Sequence, residues 1–169
     1  MSESAACETA PREAPAAHLL IPVDASERSR WGVQYALRLQ RSGRPVQVAL
    51  LFVAEPVTSL EVLRFRTHDD IARFQAESGR HILHDAAQPL LEAGVSCQEI
   101  YREGDAAFQI NDVAEQLGCD EIVLPLPHAR IARLLSRDLV REVIKRTSGV
   151  PVVTANAEGI AEKCPDTGM

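Results

Sequence analysis

Short, almost wholly apolar runs alternate along the chain with longer stretches whose apolar positions recur at helical spacing. His18-Leu-Leu-Ile-Pro-Val23 is one such run and ends at Asp24; Val46-Gln-Val-Ala-Leu-Leu-Phe-Val53 is the longest. Runs of this kind predict strands buried on both faces. Between them Ser26-Glu27 opens a helix, because a Ser or Asp there accepts hydrogen bonds from the first free backbone N–H groups. Val33, Ala36, Leu37 and Gln40 form its inner side, and Gly43 ends it. Pro56 to Arg66 reads as an irregular connection. From Asp69 to Leu91 the residues Ile71, Phe74, Ile82, Ala86 and Leu90 make one apolar stripe, closed by Gly94. Val95 to Tyr101 is a strand polar enough for a sheet edge. Gly104-Asp105 starts a third helix with Ile110, Val113, Ala114 and Leu117 inside and Gly118 as its stop. Glu121-Ile-Val-Leu124 is a fourth strand. Leu135, Leu139, Val143 and Ile144 mark a fourth helix, and Pro151-Val-Val-Thr154 a fifth strand.

The order β-α-β-α-β-α-β-α-β predicts an α/β fold: a single doubly wound domain, a five-stranded parallel sheet with helices on both faces. Ligands of such sheets sit beyond the carboxyl ends of the strands, where the strand order reverses. Asp24 and the segment after Leu124 fall there. Residues 1–16 are rich in Ala, Pro, Glu and Ser without a hydrophobic period and read as a disordered leader. The domain is expected over 17–156, and 157–169 reads as a flexible tail.

At 169 residues the chain is one domain long, and 46% apolar with 25% charged residues is ordinary for a globular protein. The net charge of −6 argues against nucleic acid or an anionic membrane as a partner, since phosphate binding draws on many Lys and Arg contacts. No apolar run reaches the ~18 residues of a membrane span. The leader lacks the apolar stretch of a secretory signal, which points to the cytoplasm. Cys7, Cys97, Cys119 and Cys164 form no C-x-x-C pair and no zinc spacing, and read as reduced thiols.

Leu20-Ile-Pro-Val-Asp24-Ala-Ser26-Glu at the first strand end, Leu50-Leu-Phe-Val53, Cys119-Asp-Glu-Ile-Val-Leu124 and the closing Val150-Pro-Val-Val-Thr154 occur in the right order. In this the chain resembles the universal stress protein family over about residues 18–155. The resemblance implies a fold close to that of adenine-nucleotide hydrolases and pairing of two chains through the last strand. It also implies that Pro22, Asp24 and Val53 match residues lining the adenosine half of a nucleotide pocket. Asp24 equally suits a helix cap, and Val53 a core strand.

ATP-binding members of that family carry G-x-x-G, nine residues, then G-S or G-T after strand four. Glycines there let the backbone approach phosphates and turn free N–H groups toward them. Anchored on strand four, the four motif positions fall here on Pro125, His128, Asp138 and Leu139; anchored on helix four, on Leu124, Pro127, Arg137 and Asp138. Neither register meets a Gly, Ser or Thr, and no glycine occurs between Gly118 and Gly149. Pro125 and Pro127 remove two donors, and Asp138 sets a carboxylate where the terminal phosphate would lie. The phosphate cradle is lost.

Other constellations are weaker. Arg130, Arg133, Arg137, Arg141 and Lys145 recur at spacings of three and four, either a solvated face balanced by Asp138 and Glu142 or a cationic stripe able to hold an anion. His81, His84 and Asp85 share a helix face without a third ligand element for a metal. His128, with Asp24 as its acidic partner, is the general-base candidate of a hydrolase reading, but no G-x-S-x-G, P-loop or H-E-x-x-H motif supports it. Trp31 reads as packing, or as a partner anchor if exposed.

The expected function is a stress-response regulatory domain that is no enzyme, holds no cofactor or metal and acts as a dimeric scaffold. Its edge strand Pro151, Val152, Val153 and Thr154 would form a homodimer, or a heterodimer with a related domain. The alternative is an adenine-nucleotide sensor that takes ATP or AMP with Arg130, Arg133 and Arg137 as its anion site.

Overall fold

A computed structural model describes residues 15–57, 64, 67–127 and 137–162, without the side chains of Arg137 and Asp138. The assignments made above to His128, Arg130, Arg133 and Leu135, and to the side chains of Arg137 and Asp138, lie outside the described residues. So do Cys7, Cys164 and most of the leader.

Strands β1 (Ala17–Pro22), β2 (Val46–Ala54), β3 (Ser96–Glu103), β4 (Glu121–Pro125) and β5 (Val152–Ala155) alternate with helices α1 (Arg30–Arg41), α2 (His68–Glu92), α3 (Ala106–Gln116) and α4 (Arg137–Arg146). With a last short strand, β6 (Ala161–Glu162), the sheet order is β3-β2-β1-β4-β5-β6, and the first five strands pair in parallel. The order therefore reverses between β1 and β4.

Alternation within the strands splits the core in two. Leu19, Ile21, Val48 and Leu50 point to one face, under Val33, Ala36 and Leu37 of α1 and Leu83, Ala87 and Leu90 of α2. Leu20, Ala49, Leu51, Ile122 and Leu124 point to the other, under Ile110, Val113 and Ala114 of α3 and Val140 and Val143 of α4. Each fully buried Leu, Ile or Val on these two faces contributes about 1.5–3 kcal/mol, which is why the apolar runs of β1, β2 and β4 mark the sheet so clearly.

Two expectations change. The stripe proposed for α2 does not include Phe74, which is 67% exposed; the first turns of α2 are exposed apart from half-buried Ile71, and the buried positions begin at Gly79. The sheet has six strands, not five. Residues 157–162, expected in the tail, turn back after Asn156 as a hairpin whose short strand β6 (Ala161–Glu162) pairs antiparallel with β5, Thr154 opposite Glu162 and Ala155 opposite Ala161. A two-residue strand leaves no readable hydrophobic period, so the polar composition around it dominates the reading.

Contact between α1 and the sheet is close. A Cβ on Gly32 would stand 2.6 Å from Ile21 Cγ2, and packed interiors accept no such overlap without moving. Gly32→Ala is expected to lower stability by about 1–3 kcal/mol, seen in urea unfolding as a lower midpoint with an unchanged slope.

Candidate functional site

The crevice at the carboxyl ends of β1 and β4 is built from three short segments. β1 ends at buried Pro22, and the next amide, Val23 N–H, donates to Leu51 O at 2.8 Å, so the ladder with β2 continues up to Asp24. Asp24, half-buried, does not cap α1. Its Oδ1 accepts from Ser26 N–H at 2.7 Å and from the Ser26 hydroxyl at 2.5 Å, closing a turn that a carboxylate two residues upstream of an N–H is built to close. A 3₁₀ turn, Glu27–Ser29, then leads into α1, and Ser29 at the helix start makes no side-chain cap. Buried Ser29 instead donates its hydroxyl to Ser26 O at 2.8 Å and Asp24 O at 3.1 Å. The first loop is thus tied to itself.

The second segment follows β4. Pro125, buried, and Pro127 have no N–H; Leu126 N–H is already bonded to Ala155 O at 2.8 Å. Residues 125–127 therefore present no free backbone donor. Leu126 O is taken as well: Arg28 reaches over from the β1–α1 loop and donates from Nη2 to it. The same guanidinium lies 5.1 Å above the ring of Trp31, while Arg28 Nε is buried without a hydrogen-bond partner. Arg28 bridges the place where the strand order reverses. Nothing in the sequence singles it out, because one basic residue in a polar stretch carries no periodic or motif signal. Trp31 is half-buried against the α1 side of the core and packs as expected.

Val53 sits at the carboxyl end of β2, half-buried, on the same end of the sheet as Pro22 and Asp24. Beside Asp24 a cleft of about 410 Å³ opens between the first loop and α2, lined by Asp24, Ser26, Glu27, Arg30, Ile82 and Asp85. Three carboxylates against one guanidinium make it a poor seat for phosphate. His81 is exposed; His84 Nδ1 faces Glu99 at 3.9 Å, and its Nε2 lies 3.2 Å from Gln88 Nε2. Among the described residues no group of three or more His, Cys, Asp or Glu side chains stands close enough to hold a metal.

The remaining ionisable groups in the core are quiet. Burial, reinforced by Glu99, pushes the Cys97 thiol up to about 11, and burial with Asp120 does the same for Cys119; both are protonated thiols at neutral pH and poor nucleophiles. Burial and the carboxylate of Glu121, which accepts from the Tyr35 hydroxyl at 3.0 Å, push Tyr35 up to about 12.

The universal stress protein family model matches residues 16–155. The chain belongs to that family. Solved universal stress proteins share its fold. One from Burkholderia pseudomallei is 18% identical with a TM-score of 0.63, covering 82% of this chain and 94% of its own. UspA from Lactobacillus plantarum is 15% identical at 0.64, covering 84% and 99%. A family protein from Arabidopsis thaliana, solved with AMP bound, is 18% identical at 0.57, covering 83% and 91%. Among curated protein sequences no significant match is found. At the end of β4 and just after it stand two prolines, Pro125 and Pro127, and Leu126 with its amide bonded. No described helix is long and apolar enough to cross a membrane.

Arg28→Leu removes both the bond to Leu126 O and the cation over Trp31. The expected result is a loss of about 1–3 kcal/mol, as for a charged hydrogen bond, together with a changed emission from Trp31, the single tryptophan of the chain. Unchanged emission would mean that the two side chains are not in contact.

Proposed function

We propose that this universal stress protein works in the cytoplasm as a stress-response regulatory domain that acts through protein contacts, without catalysis and without ATP. The observation that carries the reading is the exhausted backbone after β4. A triphosphate is held in such sheets by free amides and a helix N-terminus, and Pro125, Leu126 and Pro127 offer no free amide. Arg28 across the crevice and the carboxylates of the neighbouring cleft support the same conclusion. The partner surface in this reading is the β5 side of the sheet, Pro151, Val152, Val153 and Thr154, used for a homodimer or for a heterodimer with a related domain.

A second reading, an adenine-nucleotide sensor, is favoured by the Arabidopsis relative solved with AMP and by the gathering of Pro22, Asp24 and Val53 at one end of the sheet. Its phosphate would be held by Arg130, Arg133 and Arg137 rather than by backbone. Thermal unfolding with ATP, ADP and AMP separates the two, because a ligand that binds only the folded chain raises its melting temperature. No shift at millimolar nucleotide is expected. A shift of several degrees that Asp24→Asn abolishes would establish the sensor instead.

A further inference from the structure

We infer that the outer edge of β3 is a second self-contact of the chain: two copies pair antiparallel through β3 across a two-fold axis at Ile100. The contact lies at the opposite end of the sheet from the β5 edge proposed above and stands independently of it.

β3 is eight residues long and ends the sheet; among the described residues it pairs with β2 alone. Gly104 N–H donates to Ala54 O at 3.0 Å, in the register that sets Glu103 beside Ala54. The strand therefore turns its backbone groups toward β2 at Gln98, Ile100 and Arg102, and outward at Cys97, Glu99, Tyr101 and Glu103. The four outward N–H groups find no acceptor among the described residues. Two of the outward carbonyls are held by side chains, Tyr101 O by Arg102 Nη1 at 3.3 Å and Glu103 O by Gln109 Nε2 at 3.1 Å. A long open edge of this kind pairs with another strand unless its side chains forbid it.

The side chains decide the partner and the register. Like charges directly opposite each other destabilise an antiparallel pair. An axis at Glu99 sets that carboxylate against itself, and an axis at Tyr101 sets Glu99 against Glu103. An axis at Ile100 opposes no like charges: Glu99 faces Tyr101 of the second copy, Cys97 faces Glu103, Gln98 faces Arg102 and Ile100 faces Ile100. Each of the four outward residues then exchanges both backbone groups with the residue opposite.

Helix α2 completes the charge match. It lies directly over this part of β3, since a Cβ on Gly79 would stand 2.9 Å from the Tyr101 ring. Exposed Arg80 follows, close enough to Tyr101 to counter the upward push that burial and Glu103 give its hydroxyl. With Glu99 of the second copy opposite Tyr101, Arg80 and that carboxylate come side by side, while His84 keeps facing Glu99 of its own chain at 3.9 Å. The arrangement repeats on the other side of the axis. On the opposite face of the sheet a groove of about 230 Å³ opens between β3 and α3, lined by Gln98, Ile100, Arg102, Val113, Gln116 and Leu117. The same register lays Gln98, Ile100 and Arg102 of the second strand along it. The strand supplies its own complement, which marks a second copy rather than an unrelated chain as the occupant.

Light scattering on the size-fractionated protein across a concentration series tests this. Arg80→Glu and Glu99→Arg change exposed residues, and each opposes like charges across the axis. Each is expected to cut the mass to half or less of that of the unaltered chain at the same concentration, and Arg80→Glu with Glu99→Arg in one chain to restore it. If β5 also pairs, the single variants stop at twice the 18.5 kDa of one chain; if β5 does not pair, they stop at one. Single variants with the mass of the unaltered chain would overturn the β3 contact in either case, and a double variant that stays reduced would overturn the axis at Ile100. Cross-linking checks the register separately, in chains that carry Cys7→Ser and Cys164→Ser. Gln98→Cys in one copy and Arg102→Cys in the other would bring Cα atoms to about 4.5 Å, within disulfide reach. Oxidation of the mixed proteins is expected to give a covalent dimer on a non-reducing gel, and oxidation of either alone to give none. A mixture that yields no covalent dimer would contradict the inference.

Discussion

Three consecutive residues, Pro125, Leu126 and Pro127, leave no free backbone N–H at the carboxyl end of β4. Two lack an N–H by their chemistry, and the third spends its N–H on Ala155 and its C=O on Arg28. In a parallel α/β sheet the strand ends at the order reversal are the place where backbone donors are left over for ligands. At residues 125–127 none is left over, since the sheet uses the one N–H present. β4 is stitched to β5 one residue further than its strand runs, and the first loop is clamped to β4 by a side chain. The same bonds that close the crevice hold the two halves of the sheet together at that end.

Closure of one ligand-bearing end shifts attention to the edges. Eight-residue β3 forms one edge of the sheet with mostly exposed side chains. The other edge would be β5, short and apolar at three of its four residues, but the chain covers part of it with its own hairpin. Open strand edges invite pairing with other chains, and natural proteins manage them by covering or shortening them. A cover of two residues, anchored by Asn156 and Gly159, is a modest one.

How far the sequence disclosed this depends on the scale of each signal. β1, β2 and β4 are buried on both sides, so nearly every residue is apolar and the strands stand out. The helix faces of α1 and α3 follow from regular spacing, while Phe74 matched the period of α2 on a turn that has no sheet beneath it. The absence of glycine between Gly118 and Gly149 was legible because it is a statement about residue types. The use of the Leu126 amide and carbonyl was not, since it depends on where Ala155 and Arg28 arrive from distant segments. Asp24 illustrates the same limit: a helix cap was one of its two readings, but its carboxylate closes the turn at Ser26 instead, a choice made by the local backbone path. β6 was missed because two residues carry no pattern, though the Asn156-Ala-Glu-Gly159 turn that makes it is visible once a strand partner is known.

The amide of Leu126 is the most direct witness to this account. In a ¹⁵N-labelled chain, its exchange with solvent and its response to ATP can be followed together. The account predicts slow exchange, as for an interior sheet amide, and a resonance that stays in place through millimolar ATP. A rapidly exchanging Leu126 amide whose resonance moves to saturation as ATP is added would contradict it.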